Sequence, residues 1–225
     1  MPVDPKAAIE VTAFAWVPDF AKGQVRDLRV RWALEEAGLA YRQRLLDAMS
    51  PRPEAYFQEQ PFGQVPAYRD DTVQLFESGA IVLHIGEDCE ALLPRDIAGK
   101  ARATAWLIAA LNSMEPRILE LAIIDFFHRD AEWARLRRPE VLEKVREKLA
   151  RLAAWLGDKE YLEGRFTAGD LMMAAVLRAL RHTDLVAEQP TLAAYLARCE
   201  ARPAFQRALA AQLESFAKSP AAAVA

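Results

Sequence analysis

The sequence predicts an α/β layer followed by an all-α helical bundle, and three observations carry that reading. Short β-patterned runs at residues 9–14, 41–46 and 66–76 alternate with helical periodicity as far as about residue 87. Beyond Gly99 only helical periodicity remains. Between the two patterns, at Leu92-Leu93-Pro94-Arg95-Asp96, the periodicity breaks as it does in a linker. The expected division is a first domain over residues 1–88, a linker at 89–98 and a helical domain over 99–225.

Ile9 to Phe14 alternates weakly and contains β-branched residues, which predicts a first strand. The long loop after it is rich in aromatic residues. From about Gln24 a helix is expected, with Val30, Ala33, Leu34 and Ala37 on one face, Arg29, Arg31, Glu35 and Glu36 off it, and Gly38 as its left-handed cap. Tyr41 to Leu46 is a second strand, and Ser50-Pro51 opens a short helix ending near Gln60. Pro66-Ala67-Tyr68 and Val73-Gln74-Leu75-Phe76, joined by the polar turn Arg69-Asp70-Asp71-Thr72, make a hairpin. A helix then begins at Glu77-Ser78, with Ile81, Val82 and Ile85 at helical spacing. The order strand, helix, strand, helix, hairpin, helix matches a thioredoxin-like layer.

In the second half, Leu107, Leu111, Met114, Ile118 and Leu121 recur at intervals of four and three. They predict one long amphipathic helix from Gly99 to about Phe127, bent at Pro116. Leu142, Val145, Leu149, Leu152 and Leu156 repeat the signal on a helix that stops at Gly157 and packs antiparallel to the first. Phe166-Thr167-Ala168-Gly169-Asp170-Leu171 combines a Thr N-cap, an acid three residues on, and an apolar staple of Phe166 and Leu171. The helix it opens, to Leu180, is apolar nearly all round and belongs at the bundle centre. Helices at about 191–199 and 203–216 and a frayed Ala-rich tail complete the chain.

Composition narrows the function. With 225 residues, 52% of them hydrophobic, the chain can bury two modest cores. A net charge of −3, with Lys and Arg scattered among acids, gives no footprint for nucleic acid. No run of about 18 apolar residues suggests a membrane span, and Met1 to Glu10 lacks the order of a signal peptide, so a cytoplasmic protein is expected. Cys89 and Cys199 form no Cys-x-x-Cys pair, which argues against a dithiol oxidoreductase and marks both as buried fillers or idle thiols. His84, His128 and His182 lack metal-ligand spacing, so no metal is expected.

The stretch that suggests a function is Pro61 to Ser78. Proline forces its predecessor into an extended conformation, so Val65 offers its backbone N–H and C=O to one side, where a peptide can pair with it. Ser78 stands where the first free N–H groups of a helix favour a carboxylate, and Glu77 can meet an ammonium group. Such a site suits a small zwitterionic peptide. Val65-Pro66 followed by Glu77-Ser78 resembles the glutathione site of the cytosolic glutathione transferases, whose Val-Pro carries a cis proline. Residues 28–36 resemble the first helix of bacterial members, and Thr167 to Asp170 resembles the start of the family's buried C-terminal helix.

The resemblance implies a homodimeric glutathione transferase joining the glutathione thiol to a hydrophobic electrophile, with disulfide reduction or dehalogenation as alternatives. Gln64, Val65, Pro66, Glu77 and Ser78 would bind glutathione. The usual thiol-activating Tyr, Ser or Cys after the first strand has no counterpart, since none occurs between Met1 and Leu39 and Thr12 lies in the strand. Alignment on Leu28-Arg29-Val30 puts Gln24, Val25 and Arg26 in that place, where helix N–H groups, aided by Lys22 or Arg26, would favour a thiolate. A scaffold that binds glutathione without turning it over is the competing reading. Trp16, Val17 and Phe20, with Trp106, Ser113, Phe126 and Phe127, are the candidates for a second-substrate pocket.

Overall fold

The computed structural model describes residues 3–217. The Ala-rich tail, expected to fray, lies outside them. Two compact units are present, one made of residues 3–92 together with 202–217 and the other of residues 93–201.

The first unit is built on a mixed sheet of four strands in the order β2-β1-β3-β4. Strands β1 (Ile9–Phe14) and β2 (Tyr41–Leu46) run parallel, with Ile9 opposite Tyr41 and Phe14 opposite Leu46. A parallel pair needs a crossover, supplied by α1 (Asp27–Ala37). The hairpin strands β3 (Ala67–Arg69) and β4 (Gln74–Phe76) add antiparallel, and helix α2 (Ser78–Gly86) follows directly. The short helix expected from Pro51 is a 3-10 segment, Glu54–Gln58, and it starts only there because Pro53 is held extended at φ −57 and ψ 144.

Helix α1 ends at Gly38 as expected, with φ 69, but it starts at Asp27 rather than Gln24. Its charged residues are not on a solvent face: Asp27, Arg29, Arg31 and Glu35 are all buried. The cause is α8 (Pro203–Ala217), which lies along α1. Phe205 meets Trp32 edge to face at 4.8 Å. Arg207 donates to Glu35 at 2.6 Å, Arg202 grips Glu36 through two bonds of 2.6 and 2.8 Å, and Gln212 donates to Asp27 at 2.7 Å. The last helix therefore completes the first unit, whereas the sequence reading put residues 99–225 together. Its outward appearance in sequence is that of one more bundle helix, and only its partners on α1 assign it.

In the second unit, α3 (Ile97–Ala109) and α4 (Glu115–Phe127) are joined without a loop by a π turn, Ala110–Met114. This is the bend expected near Pro116. Proline has no N–H to give to the carbonyl four residues back, and the wider turn before it absorbs the mismatch. Helix α5 (Glu132–Leu156) stops at Gly157, at φ 53. Its buried stripe is Val141, Val145, Leu149, Leu152 and Leu156, with Val141 taking the place expected of Leu142. Helix α6 (Ala168–Leu177) is buried almost throughout, and its N-terminus is closed by Thr167 and Asp170: Thr167 N–H donates to the Asp170 carboxylate at 2.9 Å, and Gly169 N–H donates to Thr167 Oγ1 at 3.2 Å. Gly169 is required there, because a Cβ would fall 2.6 Å from the Cβ of Trp106 on α3. Helix α7 (Pro190–Glu200) lends Tyr195, whose hydroxyl donates to Asp170 at 3.1 Å.

One tie in the first unit fixes the hairpin against α2. The Asp70 carboxylate accepts from His84 at 2.7 Å, from the Tyr68 hydroxyl at 2.9 Å, from both N–H and hydroxyl of Thr72, and from Val73 N–H. Burial alone would raise its pKa, but the bonds from His84, Thr72 and Val73 outweigh that and hold the carboxyl far below its ordinary 3.8. A depressed carboxyl stabilises the fold above its unfolded pKa, and that contribution is lost as pH falls through the folded one. Asp70→Asn should therefore cost about 1.5–3 kcal/mol at neutral pH. The gap between variant and wild type, followed by urea unfolding, should narrow as pH falls below about 4. A gap that stays constant with pH would show that the charge on Asp70 is not what matters.

Candidate functional site

The site is assembled around residues 60–67. Gln60, almost fully buried, accepts from Phe62 N–H at 2.7 Å and Gln64 N–H at 3.2 Å through Oε1, and its carbonyl accepts from Gly63 N–H at 2.9 Å. Gly63, at φ 66, turns the chain with Phe57 and Arg52 pressed against it, so a side chain there would be both strained and crowded. Tyr56 donates to the Gln64 carbonyl at 2.6 Å and bonds Thr12 Oγ1 at 2.9 Å, and Ala67 N–H donates to Thr12 Oγ1 at 2.6 Å. Burial raises the Tyr56 phenol above its ordinary value, which keeps it a proton donor. Thr12, Tyr56 and Gln60 thus clamp both sides of Val65–Pro66, whose bond is cis as expected.

Between the clamps, Val65 N–H and C=O have no hydrogen-bond partner among the described residues. This is the backbone edge that a peptide can use. Glu77 follows β4 with φ 68, a conformation uncommon outside glycine, and its side chain is exposed. Ser78 is the first residue of α2 and is buried, and its hydroxyl accepts from Arg29 Nη1 at 3.3 Å. The α1 arginine thereby adds a guanidinium to the end of α2 where its N–H groups already favour an anion. Sequence reasoning missed Arg29, which carries the same pattern of charge as its solvated neighbours would in an ordinary amphipathic helix. Gln60 and Tyr56 were also missed; the one signal for Gln60 is its position immediately before Pro61-Phe62-Gly63.

The residues offered for thiol activation fare differently from one another. Gln24 N–H is spent on the Ala21 carbonyl at 3.0 Å, because residues 22–26 form a turn ahead of α1. Leu28 and Arg29 N–H groups donate backward to Val25 and Arg26, so the helix start holds fewer free donors than expected. Val25 N–H has no acceptor among the described residues, and Arg26 occupies the cap position. Lys22 is paired with Asp19 at 2.7 Å. Thr12, fully committed to Ala67 and Tyr56, is not available as a hydroxyl activator.

Of the second-substrate candidates, Val17 is buried and Phe20 is exposed on the first unit, with Trp16 between these extremes. Within the second unit, Trp106 and Ser113 line a cavity of about 300 Å³. Phe126 and Phe127 do not: they lie at the far end of α4, where Phe126 packs on the His182 ring at 4.6 Å. Among the described residues there is no group of three or more His, Cys, Asp or Glu that could hold a metal ion, and no helix long and apolar enough to cross a membrane.

Known proteins match both halves of the chain. The family model for the glutathione S-transferase N-terminal domain matches residues 20–87, and that for the C-terminal domain matches residues 118–203. Glutathione S-transferase 4 of Zea mays is 30% identical over 189 residues, which cover 78% of this chain and 83% of the maize protein. The glutathione S-transferase of Hyoscyamus muticus is 29% identical over 176 residues, 73% of this chain and 82% of its own. Among solved structures, the theta class glutathione S-transferase of Xanthomonas axonopodis pv. citri with glutathione bound is 29% identical, with a TM-score of 0.76 over 90% of this chain and 97% of the other. A mixed four-stranded sheet, a helical second unit, and these matches over most of the length agree: the chain belongs to the glutathione S-transferase family.

Proposed function

We propose that the protein conjugates glutathione, through its thiolate, to a hydrophobic electrophile. The observation that carries this is Ser78 at the first position of α2, with Arg29 Nη1 on its hydroxyl and the exposed carboxylate of Glu77 beside it. Ser78 and the α2 N–H groups take the γ-glutamyl α-carboxylate, Glu77 takes the ammonium, and Val65 pairs with the cysteinyl backbone. Gln64, exposed next to Val65, reaches the peptide from the same side. Likeness to a transferase solved with glutathione bound supports the same co-substrate.

The thiol sits, in this reading, against Val25 N–H and the charge of Arg26, which replace the missing hydroxyl. The commitment of Thr12 and Gln24 to other partners favours a second reading, a glutathione-binding scaffold without turnover. Disulfide reduction and dehalogenation stay within the first reading as other uses of one thiolate. A cytoplasmic location belongs to it as well, on the resemblance to the cytosolic family.

A homodimer is part of the proposal. Phe62 is 69% exposed and meets Phe76 at 6.2 Å on the first unit, and Ile108, Leu119 and Ile123 form an exposed apolar strip along the second unit's long helix. Contiguous exposed apolar side chains of this kind mark surfaces where another chain can pack. Light scattering should give twice the chain mass, and Phe62→Asp should shift it toward the single chain; a monomeric wild type at micromolar concentration removes the dimer.

Ser78→Ala should weaken glutathione binding by about 1–3 kcal/mol, read by calorimetry alongside turnover of an aryl halide. Arg29→Gln should act in the same direction on glutathione and have no effect on an analogue lacking the γ-glutamyl α-carboxylate. Equal losses for both ligands would show that Arg29 merely supports the fold. In wild type, the bound thiol should ionise below the roughly 8.5 of a free thiol, with Arg26→Ala raising it and Lys22→Ala leaving it in place. An unshifted thiol, by ultraviolet titration, would turn the assignment to the scaffold, and a shift lost only in Ser113→Ala would move the activator to the second unit.

A further inference from the structure

Helix α8 does more than cover α1, because one of its residues reaches the turn against which the thiol is proposed to sit. Gln212 has no exposed surface, and its amide nitrogen donates twice to that turn, to the Val25 carbonyl at 3.2 Å and to the Asp27 carboxylate at 2.7 Å. Both partners are acceptors, which fixes the amide with its nitrogen toward them. Its oxygen then has no hydrogen-bond partner among the described residues. A buried amide oxygen in that state costs stability, so what this position supplies is its two donated bonds.

The two bonds bear on the proposed thiol site in different ways. Val25 is half-buried, and its N–H has no acceptor among the described residues. The chain is anchored just before it by Gln24 N–H on the Ala21 carbonyl at 3.0 Å, and just after it by Leu28 N–H and Gln212 on the Val25 carbonyl. With both flanks tied, Val25 N–H keeps one direction, as a preorganised donor to an anion must. Asp27 is the opposing influence. It is the first residue of α1, two positions beyond Val25. A carboxylate there competes for the partial positive charge of the helix start and disfavours a neighbouring thiolate. Arg31 donates to its Oδ2 at 2.6 Å and Gln212 to its Oδ1, so both oxygens are answered from inside the unit.

The seating of α8 does not depend on these bonds. Arg202 on Glu36, Phe205 on Trp32 and Arg207 on Glu35 lie on one side of Gln212 along the helix, and Ser215 Oγ donates to Gln43 at 2.9 Å on the other. Docking of the helix and its effect on the turn can therefore be separated by substitution.

We propose that Gln212 is a positioning residue for the glutathione thiolate: through Val25 it aims the N–H that meets the sulfur, and through Asp27 it restrains a buried carboxylate that opposes ionisation. This rests on the reading that places the thiol against Val25, and it adds a residue that acts only through two others. Thiol acidity is thereby tied to a side chain 187 positions away from Val25.

Ultraviolet titration of the bound thiol in wild type, Gln212→Met and Arg207→Gln tests it. Calorimetry of S-methylglutathione, which has no ionisable thiol, is the companion measurement. Methionine is similarly long and unbranched but offers no donor. Gln212→Met should raise the thiol pKa by about one unit and leave the affinity for S-methylglutathione within about twofold. Arg207→Gln, which loosens α8 away from Val25, should leave the thiol in place. An unmoved thiol in Gln212→Met, an equal rise in Arg207→Gln, or a matching loss of S-methylglutathione affinity would each overturn this inference alone. A wild-type thiol at its ordinary value would overturn the reading beneath it as well. Should circular dichroism show Gln212→Met unfolded, NMR of the wild type decides. The Gln212 side-chain amide signals should move with the thiol titration in the glutathione complex and stay still with S-methylglutathione; signals that do not follow the thiol overturn the proposal.

Discussion

Burying a charge is tolerated only where the protein replaces the water it removes, and in the first unit that requirement falls on Asp27 and Arg31. Neither has measurable exposure, and they meet at 2.6 Å within one turn of α1. Burial pushes the Asp27 carboxyl upward, while the guanidinium and the Gln212 amide oppose it. Arg31 reaches toward the Tyr41 hydroxyl of β2, at 3.4 Å, and Gln212 comes from α8. One ion pair therefore demands three elements at once. A pair of this kind adds little net stability over an apolar replacement, but loss of one member leaves an uncompensated charge inside, so it specifies how the parts assemble more than how tightly.

The same helix serves the site. Its inner residues hold the sheet and α8, and Arg29, two residues beyond Asp27, reaches the start of α2 at Ser78. Thr12 does comparable work from β1: a side chain in a central strand bonds the first amide after Pro66 and, through Tyr56, the carbonyl before Val65. The N–H groups of Phe62, Gly63, Gln64 and Ala67 and the carbonyls of Gly63 and Gln64 are all satisfied by protein groups, whereas the two backbone groups of Val65 have no partner among the described residues. What stays open to a ligand is a short, fixed length of backbone, and preorganisation of that sort limits the entropy lost on binding.

Strand positions, the caps of α1 and α5, and the capping box of α6 could be read from residues because each rests on local physics: alternation, a left-handed glycine, a Thr with an acid three residues on. The residues proposed to bind glutathione could be singled out for a similar reason, since Val65-Pro66 and Glu77-Ser78 sit on either side of one hairpin. What could not be read were long-range partnerships. Arg29 and Arg31 look like any helix-surface cations until Ser78 and Asp27 with Gln212 are seen around them. Residues 203–217 have the periodicity of a bundle helix, and nothing local says that their partners lie some 170 positions earlier, as with Arg207 and Glu35. Trp106 and Ser113 were candidates for the cavity they line, whereas Trp155, which lines it too, is exposed on a helix whose apolar stripe lies on another face.

The return of α8 to the first unit has a consequence for biosynthesis. As the chain leaves the ribosome, residues 3–92 emerge first, yet Asp27, Glu35 and Glu36 meet their last partners only when residues 202–212 have followed. The second unit, residues 93–201, is a continuous insertion with all its own helices and can close while the first is still incomplete. The usual order of vectorial folding, amino-terminal domain first, is thus reversed for the final step. Until residues 202–207 have emerged, the nascent layer carries Glu35 and Glu36 without the arginines that pair with them, and a chain cut short before Arg202 would expose Trp32 where Phe205 should cover it. The last helix acts as a completeness check on the polypeptide.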